Sequence, residues 1–147
     1  MMETRDFQWR WAHVDWSDGA SDYEAQTNRL RPDDDRAKFP ITMERIDAQP
    51  GERMLEMGCG NGAGDRAVAR NAQAIRGVVT LDASAAMVGE DHRRGGGGLP
   101  VSLSLGCAHH MPFPDGTFDR SHTMETFVTP PDTHQALREL MRVTQPS

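Results

Sequence analysis

The sequence predicts an α/β fold built on a doubly wound parallel sheet. A short apolar segment, residues 53–57, runs directly into a glycine-rich turn and then a helical segment. A second apolar segment, 78–81, ends on Asp82, and a third, 101–105, alternates apolar and polar residues. Apolar segments of strand length separated by helical segments are typical of parallel sheets, whose successive strands are joined by helices.

Length and composition suit one domain that binds a small molecule. The chain has 147 residues and a net charge of −6, whereas proteins that bind nucleic acid carry a basic face. No apolar run reaches the roughly 18 residues of a membrane span, and no apolar signal segment opens the chain, so a cytoplasmic protein is expected. The two cysteines lack the spacing of a metal site; we expect reduced thiols and no metal.

Residues 1–35 are predicted to form an arm separate from the domain that follows. The arm is rich in aromatic residues and contains all three tryptophans, Trp9, Trp11 and Trp16. Two interpretations stay open: a lid over the mouth of a pocket, or a partly ordered arm that packs on the domain surface.

A first helix is predicted over about 36–48, because Phe39, Met43 and Ile46 are spaced to share one face. Proline is unfavourable inside a helix but acceptable at its start. Pro40 is therefore expected to mark the first turn.

A ligand-binding turn is predicted where the first strand, 53–57, meets the next helix. Glycines let the backbone adopt positive φ and let a ligand lie against bare main chain, and the helix start offers unpaired N–H groups. The spacing of Gly58, Gly60 and Ala63, with Asp82 farther along, also fits a dinucleotide fingerprint, so NAD stays open. A glycine-rich turn with no ligand is the third alternative.

Two acids favour a different ligand from NAD. Glu56, at the carboxyl end of the first strand, would repel an anionic pyrophosphate. Asp82 ends the second strand, where its two oxygens can accept hydrogen bonds from ribose hydroxyls. Together they suit a cationic ligand that carries a ribose, and S-adenosylmethionine, with its ammonium, sulfonium and ribose diol, meets that description.

The elements after the second strand follow from local signals. Ser84 is a plausible N-cap of the next helix, and four glycines at 95–98 form a flexible connector. A rigid turn is expected over 111–119, with Phe113 and Phe118 filling the core beneath it. The fourth strand is predicted at about 120–124, and Asp132 or Thr133 caps a last helix that continues to Val143.

Several of these motifs resemble class I S-adenosylmethionine-dependent methyltransferases. Glu56-x-Gly58-x-Gly60-x-Gly62 matches every position of that family's motif I, and Asp82-Ala-Ser-Ala-Ala-Met87 is similar to its D-x-S-x-x-M pattern. Met111 to Asp119 resembles the L-P-F-P-D-x-x-F-D signature, and the last residues resemble the R-V-x-x-P-G turn before the fifth strand. The resemblance covers about 36–147 and points to the ubiquinone/menaquinone-type group, which acts on small molecules.

The resemblance implies a Rossmann-like sheet of order 3-2-1-4 that corresponds to the cofactor-binding half of the family domain. Residues 36–147 would then be a partial S-adenosylmethionine-binding domain, truncated after the fourth strand and its helix. The fourth strand would lie at an open edge through which two chains could form a homodimer. The implied activity is methyl transfer to a small-molecule acceptor; the alternative is a non-catalytic remnant or a half-domain that depends on a partner.

The resemblance also assigns site residues. Cys107 stands where the family usually has an acid that binds the adenine amino group, and a thiol is a poor acceptor. The implied cofactor is S-adenosyl-L-methionine, with contacts at Glu56, Gly58, Cys59, Gly60, Gly62, Asp82, Ala83, Cys107, Ala108 and Thr123. The candidates for a catalytic base are His109, His110, His122 and Glu125.

Overall fold

The computed structural model describes residues 16, 19–22, 34–71, 74–127 and 131–146. The predicted arm over 1–35 lies almost wholly outside them, so both interpretations of it stay predictions, as does its separation from the domain. In chain order the elements are α1 (Asp34–Ile46), β1 (Arg53–Met57), α2 (Ala63–Asn71), β2 (Gly77–Asp82), α3 (Ala85–Arg94), β3 (Val101–Leu105), β4 (Arg120–Thr123) and α4 (Thr133–Val143). No helix in these ranges is both long and apolar enough to cross a membrane.

The four strands form one parallel sheet in the order β3-β2-β1-β4, which confirms the predicted fold. The register aligns Glu56 of β1 with Thr80 of β2 and with His122 of β4. Because all strands run the same way, their carboxyl ends meet at one edge of the sheet. The loops that follow β1, β2, β3 and β4 therefore gather at that edge, where parallel α/β sheets bind ligands.

The core lies on both faces of the sheet. Leu55 and Met57 of β1 contribute to one buried cluster, with Phe118 and α4 residues Leu140 and Val143. Met54, which points to the opposite face, packs in a second cluster with Val68 of α2, Ile75 of the following connection and Val78 of β2. Nearly continuous apolar strands are needed because helices cover both faces.

The predicted strands agree closely with the observed ones, but the first helix differs. It begins at Asp34 and ends at Ile46, with Pro40 inside it, so the prediction that Pro40 marks the first turn was wrong. Phe39 is buried, and Met43 and Ile46 pack on the second core cluster, so burial of the shared apolar face outweighs the lost backbone hydrogen bond.

The far edge of β4 is covered only at its start. The N–H of Phe118 donates to the Val143 carbonyl (3.0 Å), and the N–H of Gln145 donates to the Phe118 carbonyl (2.8 Å). Phe118 and Thr144 thereby form a parallel bridge beside β4. Within the described ranges, residues 120–123 pair with β1 alone, and the predicted homodimer through this edge stays a prediction.

Candidate functional site

The glycine loop, residues 58–64, is fixed against the end of β2. The N–H groups of Gly58 and Cys59 both approach the Leu81 carbonyl, at 2.6 and 3.3 Å. Gly60 has φ +55°, and a Cβ built on it would meet nothing within 4 Å. The loop therefore presents bare backbone to open space at the carboxyl edge of the sheet, which is the surface a ligand needs for close approach.

Asp82 connects the loops that follow three strands. Its Oδ2 accepts from the Gly60 N–H (2.9 Å) and its Oδ1 from the Ser84 N–H (2.8 Å). Its carbonyl accepts from the N–H of Gly106, the first residue after β3 (2.9 Å). A carboxylate has about four lone-pair positions, so both oxygens keep capacity to accept from a ligand. Ala83, beside it, is exposed at the same edge.

Glu56 lies behind the glycine loop and is only 3% exposed. A Cβ on Gly64 would collide with the Glu56 carboxyl group, which places this side chain at the start of α2. Direct contact between Glu56 and a cationic ligand, predicted from the sequence, stays a prediction.

The buried side chain of His122 lies beside Glu56. Its Nε2 lies 3.7 Å from Glu56 Oε1, close enough for an ion pair when the imidazole is protonated but too long for a hydrogen bond. Among the described residues, neither ring nitrogen of His122 nor Oε2 of Glu56 has a hydrogen-bond partner. His122 was expected to reach the ligand crevice. Its side chain is buried in this structure, and its candidacy as a catalytic base stays a prediction.

Two buried acids beneath the loop were not predicted from the sequence. Asp65 of α2 and Asp91 of α3 are 0% and 1% exposed, and a Cβ on Gly62 would press on the Asp91 carboxylate. Burial, together with the charges of Asp91 and Glu56, raises the pKa of Asp65 to about 8. Burial also raises the pKa of Asp91. With a pKa of about 8, Asp65 holds a proton near neutral pH.

The burial of Asp91 has one signal in the sequence, which is its spacing from Met87. Asp91 follows Met87 by four residues, and Met87 is buried, so the helix period turns both side chains toward the sheet. The run Glu90-Asp91-His92-Arg93-Arg94 looks like a solvated helix face. Glu90 forms ion pairs with Arg93 and Arg94 as such a face would, whereas Asp91 does not follow that pattern.

The loop after β4 also contacts the glycine loop. The Thr126 hydroxyl, which the sequence analysis did not single out, lies 3.3 Å from the Met57 carbonyl and 3.4 Å from the Gly58 carbonyl. The hydroxyl of Thr123, the last residue of β4, is buried and has no hydrogen-bond partner among the described residues. Glu125 is exposed, with φ +57°, so the chain turns away from the sheet there.

The loop after β3 carries a cysteine and two histidines. Cys107 is exposed, and its Sγ lies 3.4 Å from His109 Nδ1. His110 is also exposed, and its N–H donates to the Cys107 carbonyl (3.1 Å). Ala108 packs against the core cluster under α4. Most of the predicted residues lie at this edge of the sheet, whereas Glu56 and His122 are buried behind it. Those at the edge are Gly58, Cys59, Gly60, Gly62, 82–83, 107–110, Thr123 and Glu125.

Comparison with known proteins assigns this arrangement to a family. A family model described as a methyltransferase domain matches residues 55–147. Methyltransferase GfsG of Streptomyces halstedii is 34% identical over 104 residues, which are 70% of this chain and 37% of that protein. The demethylmenaquinone methyltransferase of Thermobifida fusca is 33% identical over 106 residues, 71% of this chain and 44% of that protein.

A solved structure supports the fold. The crystal structure of a candidate S-adenosyl-L-methionine-dependent methyltransferase of Methanococcus maripaludis superimposes with a TM-score of 0.74 at 18% identity, covering 88% of this chain and 59% of that one. The chain thus spans less than half of the two curated relatives. Since the family model covers well over half of the chain, the chain belongs to the methyltransferase domain family of the class I, Rossmann-like fold, whose cofactor is S-adenosyl-L-methionine.

Proposed function

We propose that this chain binds S-adenosyl-L-methionine at the carboxyl edge of the sheet and takes part in methyl transfer to a small-molecule acceptor. The observation that carries the proposal is Asp82, which ties the glycine loop to the ends of β2 and β3 while keeping lone pairs for a ligand. The relatives named above include a demethylmenaquinone methyltransferase, which is why the proposed acceptor class is small phenols and quinols.

The residues at the edge fit such a cofactor. Asp82 is assigned to the ribose hydroxyls, because a carboxylate can accept from both. The open backbone at Gly60 is assigned to close approach of the methionine portion, with Gly58, Cys59 and Gly62 shaping the loop and the buried hydroxyl of Thr123 beneath it. Ala83, Cys107 and Ala108 are assigned to the adenine end. Glu56 is assigned to the cationic end of the ligand, as the sequence predicts, from its position behind the glycine loop.

When bound, the cofactor supplies a methyl group made electrophilic by its sulfonium. The chain's contribution is to position the acceptor and exclude water. An acceptor of high pKa also needs a base. His110 and Glu125 are exposed on loops at the edge and keep this assignment. His109 is already engaged with Cys107 and with Asp132, and His122 is buried against Glu56.

The first test is equilibrium binding of S-adenosylhomocysteine to Asp82→Asn. Removing the charge should weaken binding by about 1–3 kcal/mol, the range for hydrogen bonds to charged groups. The matched control is Asp119→Asn. Asp119 also accepts a backbone N–H, that of Arg53 (2.7 Å), but at the amino end of β1, so this variant should bind like wild type. Equal affinity in Asp82→Asn and wild type would contradict the assignment.

The same titration with NAD separates the two nucleotide ligands. We expect S-adenosyl-L-methionine and S-adenosylhomocysteine to bind and NAD to bind far more weakly. Methyl transfer is then measured as formation of S-adenosylhomocysteine with a panel of phenols and quinols. Tighter binding of NAD would overturn the proposed function at its first step.

A second candidate, a binding half-domain without turnover of its own, is favoured by two observations. The chain spans 37% and 44% of the curated relatives, and β4 pairs on one side only within the described ranges. For this candidate we expect cofactor binding without methyl transfer, and a dimer through β4 by light scattering. Robust turnover by a monomer would exclude it.

A further inference from the structure

The exposed Cys107, assigned above to the adenine end, forms a thiol–imidazole pair with the half-buried His109. Cys107 follows β3 by two residues, and its Sγ lies 3.4 Å from His109 Nδ1. A thiol becomes nucleophilic only as the thiolate. Whether the imidazole can assist depends on which ring nitrogen carries hydrogen, and the contacts on the other side of the ring decide that.

The position of His109 is fixed by the start of α4. The backbone N–H of Asp132 donates to His109 Nε2 (3.2 Å), so Nε2 must present its lone pair. In the neutral ring the hydrogen is then on Nδ1, the nitrogen that faces Cys107. The Gln135 side-chain amide donates to the His109 carbonyl (3.1 Å) and anchors the backbone as well. His109 therefore directs an N–H at the Cys107 sulfur, and that N–H stabilises a thiolate.

Cys59, the other cysteine of the chain, provides an internal contrast. It is 5% exposed, and its Sγ lies 3.6 Å from the Gly60 carbonyl. Burial, and then the charges of Asp82, Glu56 and Asp91, raises the pKa of its thiol far above the ordinary value. Cys59 should be inert while the chain is folded, so any rapid thiol chemistry of the folded chain belongs to Cys107.

We propose that Cys107 is a thiol–disulfide exchange site for low-molecular-weight disulfides, and that its modification and nucleoside binding exclude each other. The Cys107 thiol loses its proton to water, and the thiolate attacks one sulfur of the disulfide. A new S–S bond forms to Cys107, the old S–S bond breaks, and the second sulfur leaves as a thiolate that takes up a proton. One disulfide is consumed and one formed, so no further oxidant is needed.

The exclusion of nucleoside follows from where Cys107 lies, and this part rests on the proposed function. The residue before it, Gly106, donates its N–H to the Asp82 carbonyl (2.9 Å), so the cysteine directly follows a residue tied to Asp82. A glutathione bonded to the Cys107 sulfur would occupy the space assigned to the adenine. Reduction of the mixed disulfide restores that space.

The experiment measures reaction of the whole chain with 5,5′-dithiobis(2-nitrobenzoate) under pseudo-first-order conditions, with peptide mapping of the labelled cysteine. We expect Cys107 to react first, and His109→Gln to slow it by about tenfold, since the thiolate then loses a hydrogen bond to a charged group. The control is His92→Gln, which removes an exposed histidine on α3 and should react like wild type. Cys107→Ser should lose the fast phase.

Two further readings complete the test. Saturating S-adenosylhomocysteine should slow Cys107, and protein modified with oxidised glutathione should lose S-adenosylhomocysteine binding until dithiothreitol is added. Silence of Cys59 shows that each variant is folded; if His109→Gln exposes Cys59, His109→Asn takes its place. Equal rates in wild type and the folded His109 variant overturn the inference. Failure of S-adenosylhomocysteine to bind the unmodified chain overturns the proposed function instead and leaves the His109 effect to be judged on its own.

Discussion

The glycine loop and the turn over residues 111–119 differ in how the charged side chains around them are paired. Beside the turn, Arg142 of α4 donates to both carboxylate oxygens of Glu139 (2.7 and 2.8 Å) and to Asp115 of the turn (2.7 Å). It also donates to the carbonyls of Phe113 and Met111. Behind the loop, carboxylates are buried, and Glu56 Oε2 and Asp65 Oδ2 have no hydrogen-bond partner among the described residues.

The difference separates a part of the molecule built for stability from one built for binding. A planar guanidinium that makes five hydrogen bonds locks α4 to the turn, and Phe113 and Phe118 pack edge to face beneath it at 5.0 Å between ring centroids. Buried unpaired carboxylates do the reverse, since they raise the free energy of the folded state. Costs of this kind concentrate at functional sites.

Arg142→Ala should produce the largest loss of stability. It removes the guanidinium that pairs with Glu139 and donates to two carbonyls, and the hydrogen bonds of that guanidinium lower the pKa of Glu139 to about 2. We expect Tm, measured by circular dichroism, to fall by about 5–10 °C, with S-adenosylhomocysteine affinity retained. Arg138→Ala on the same helix is the control, because Arg138 is exposed and donates to the Gln135 side chain. Equal losses in both variants would refute the special role of Arg142.

Gly62→Ala should lower Tm by less than Arg142→Ala does, but by more than Gly116→Ala does. Both glycines have positive φ, +80° and +60°, so both variants carry backbone strain. A Cβ at 62 also presses on the Asp91 carboxylate, whereas a Cβ at 116 meets only Gln145 Cγ, at 3.7 Å. We expect Tm losses of about 4–8 °C and about 2–4 °C. In the Asp91→Ala background the difference should shrink, and its persistence there would place the strain elsewhere.

Asp65→Asn should stabilise the chain by about 2–5 °C at pH 8 and have little effect near pH 4. The folded pKa of Asp65 is about 8 against an ordinary value of 3.8, so the folded chain holds a proton that the unfolded chain releases in this window. The stability this proton contributes is complete below about pH 4 and is lost as pH rises toward 8. Asparagine does not titrate and avoids the loss.

The control for this prediction is Asp47→Asn. Asp47 is exposed with φ +47°, a conformation that asparagine tolerates. Its Tm difference from wild type should not change between pH 4 and pH 8. A parallel, pH-independent shift in Asp65→Asn would mean that Asp65 is ionised in the folded chain and paired with a cation.

How far the sequence predicts this molecule depends on which interactions decide each feature. Local signals decided the strands and the caps: β1 and β3 match their predicted bounds, and Ser84 and Asp132 cap α3 and α4 as expected. Pro40 failed because packing overrode a local preference. The strand order followed from the family resemblance and was confirmed.

The candidate site was predictable where it is made of backbone and less so where it depends on packing. The glycine spacing indicated the loop, and the residue after the apolar run of β2 indicated Asp82. Burial of Glu56, Asp65 and Asp91 was not predicted, because it depends on how α2 and α3 lie on the sheet. The contact from Thr126 to the loop after β1 joins residues far apart in sequence, and no local pattern encodes it.

The tether from Asp82 to the Gly60 N–H has a consequence for the rate of encounter with ligand. A loop already held in its binding conformation has no closing step to wait for, so association should follow a single exponential that is linear in ligand concentration. Variants that only weaken contacts to the ligand would then differ from wild type in the dissociation rate of the complex. Asp82→Asn, which also loosens the tether, would in addition slow its formation.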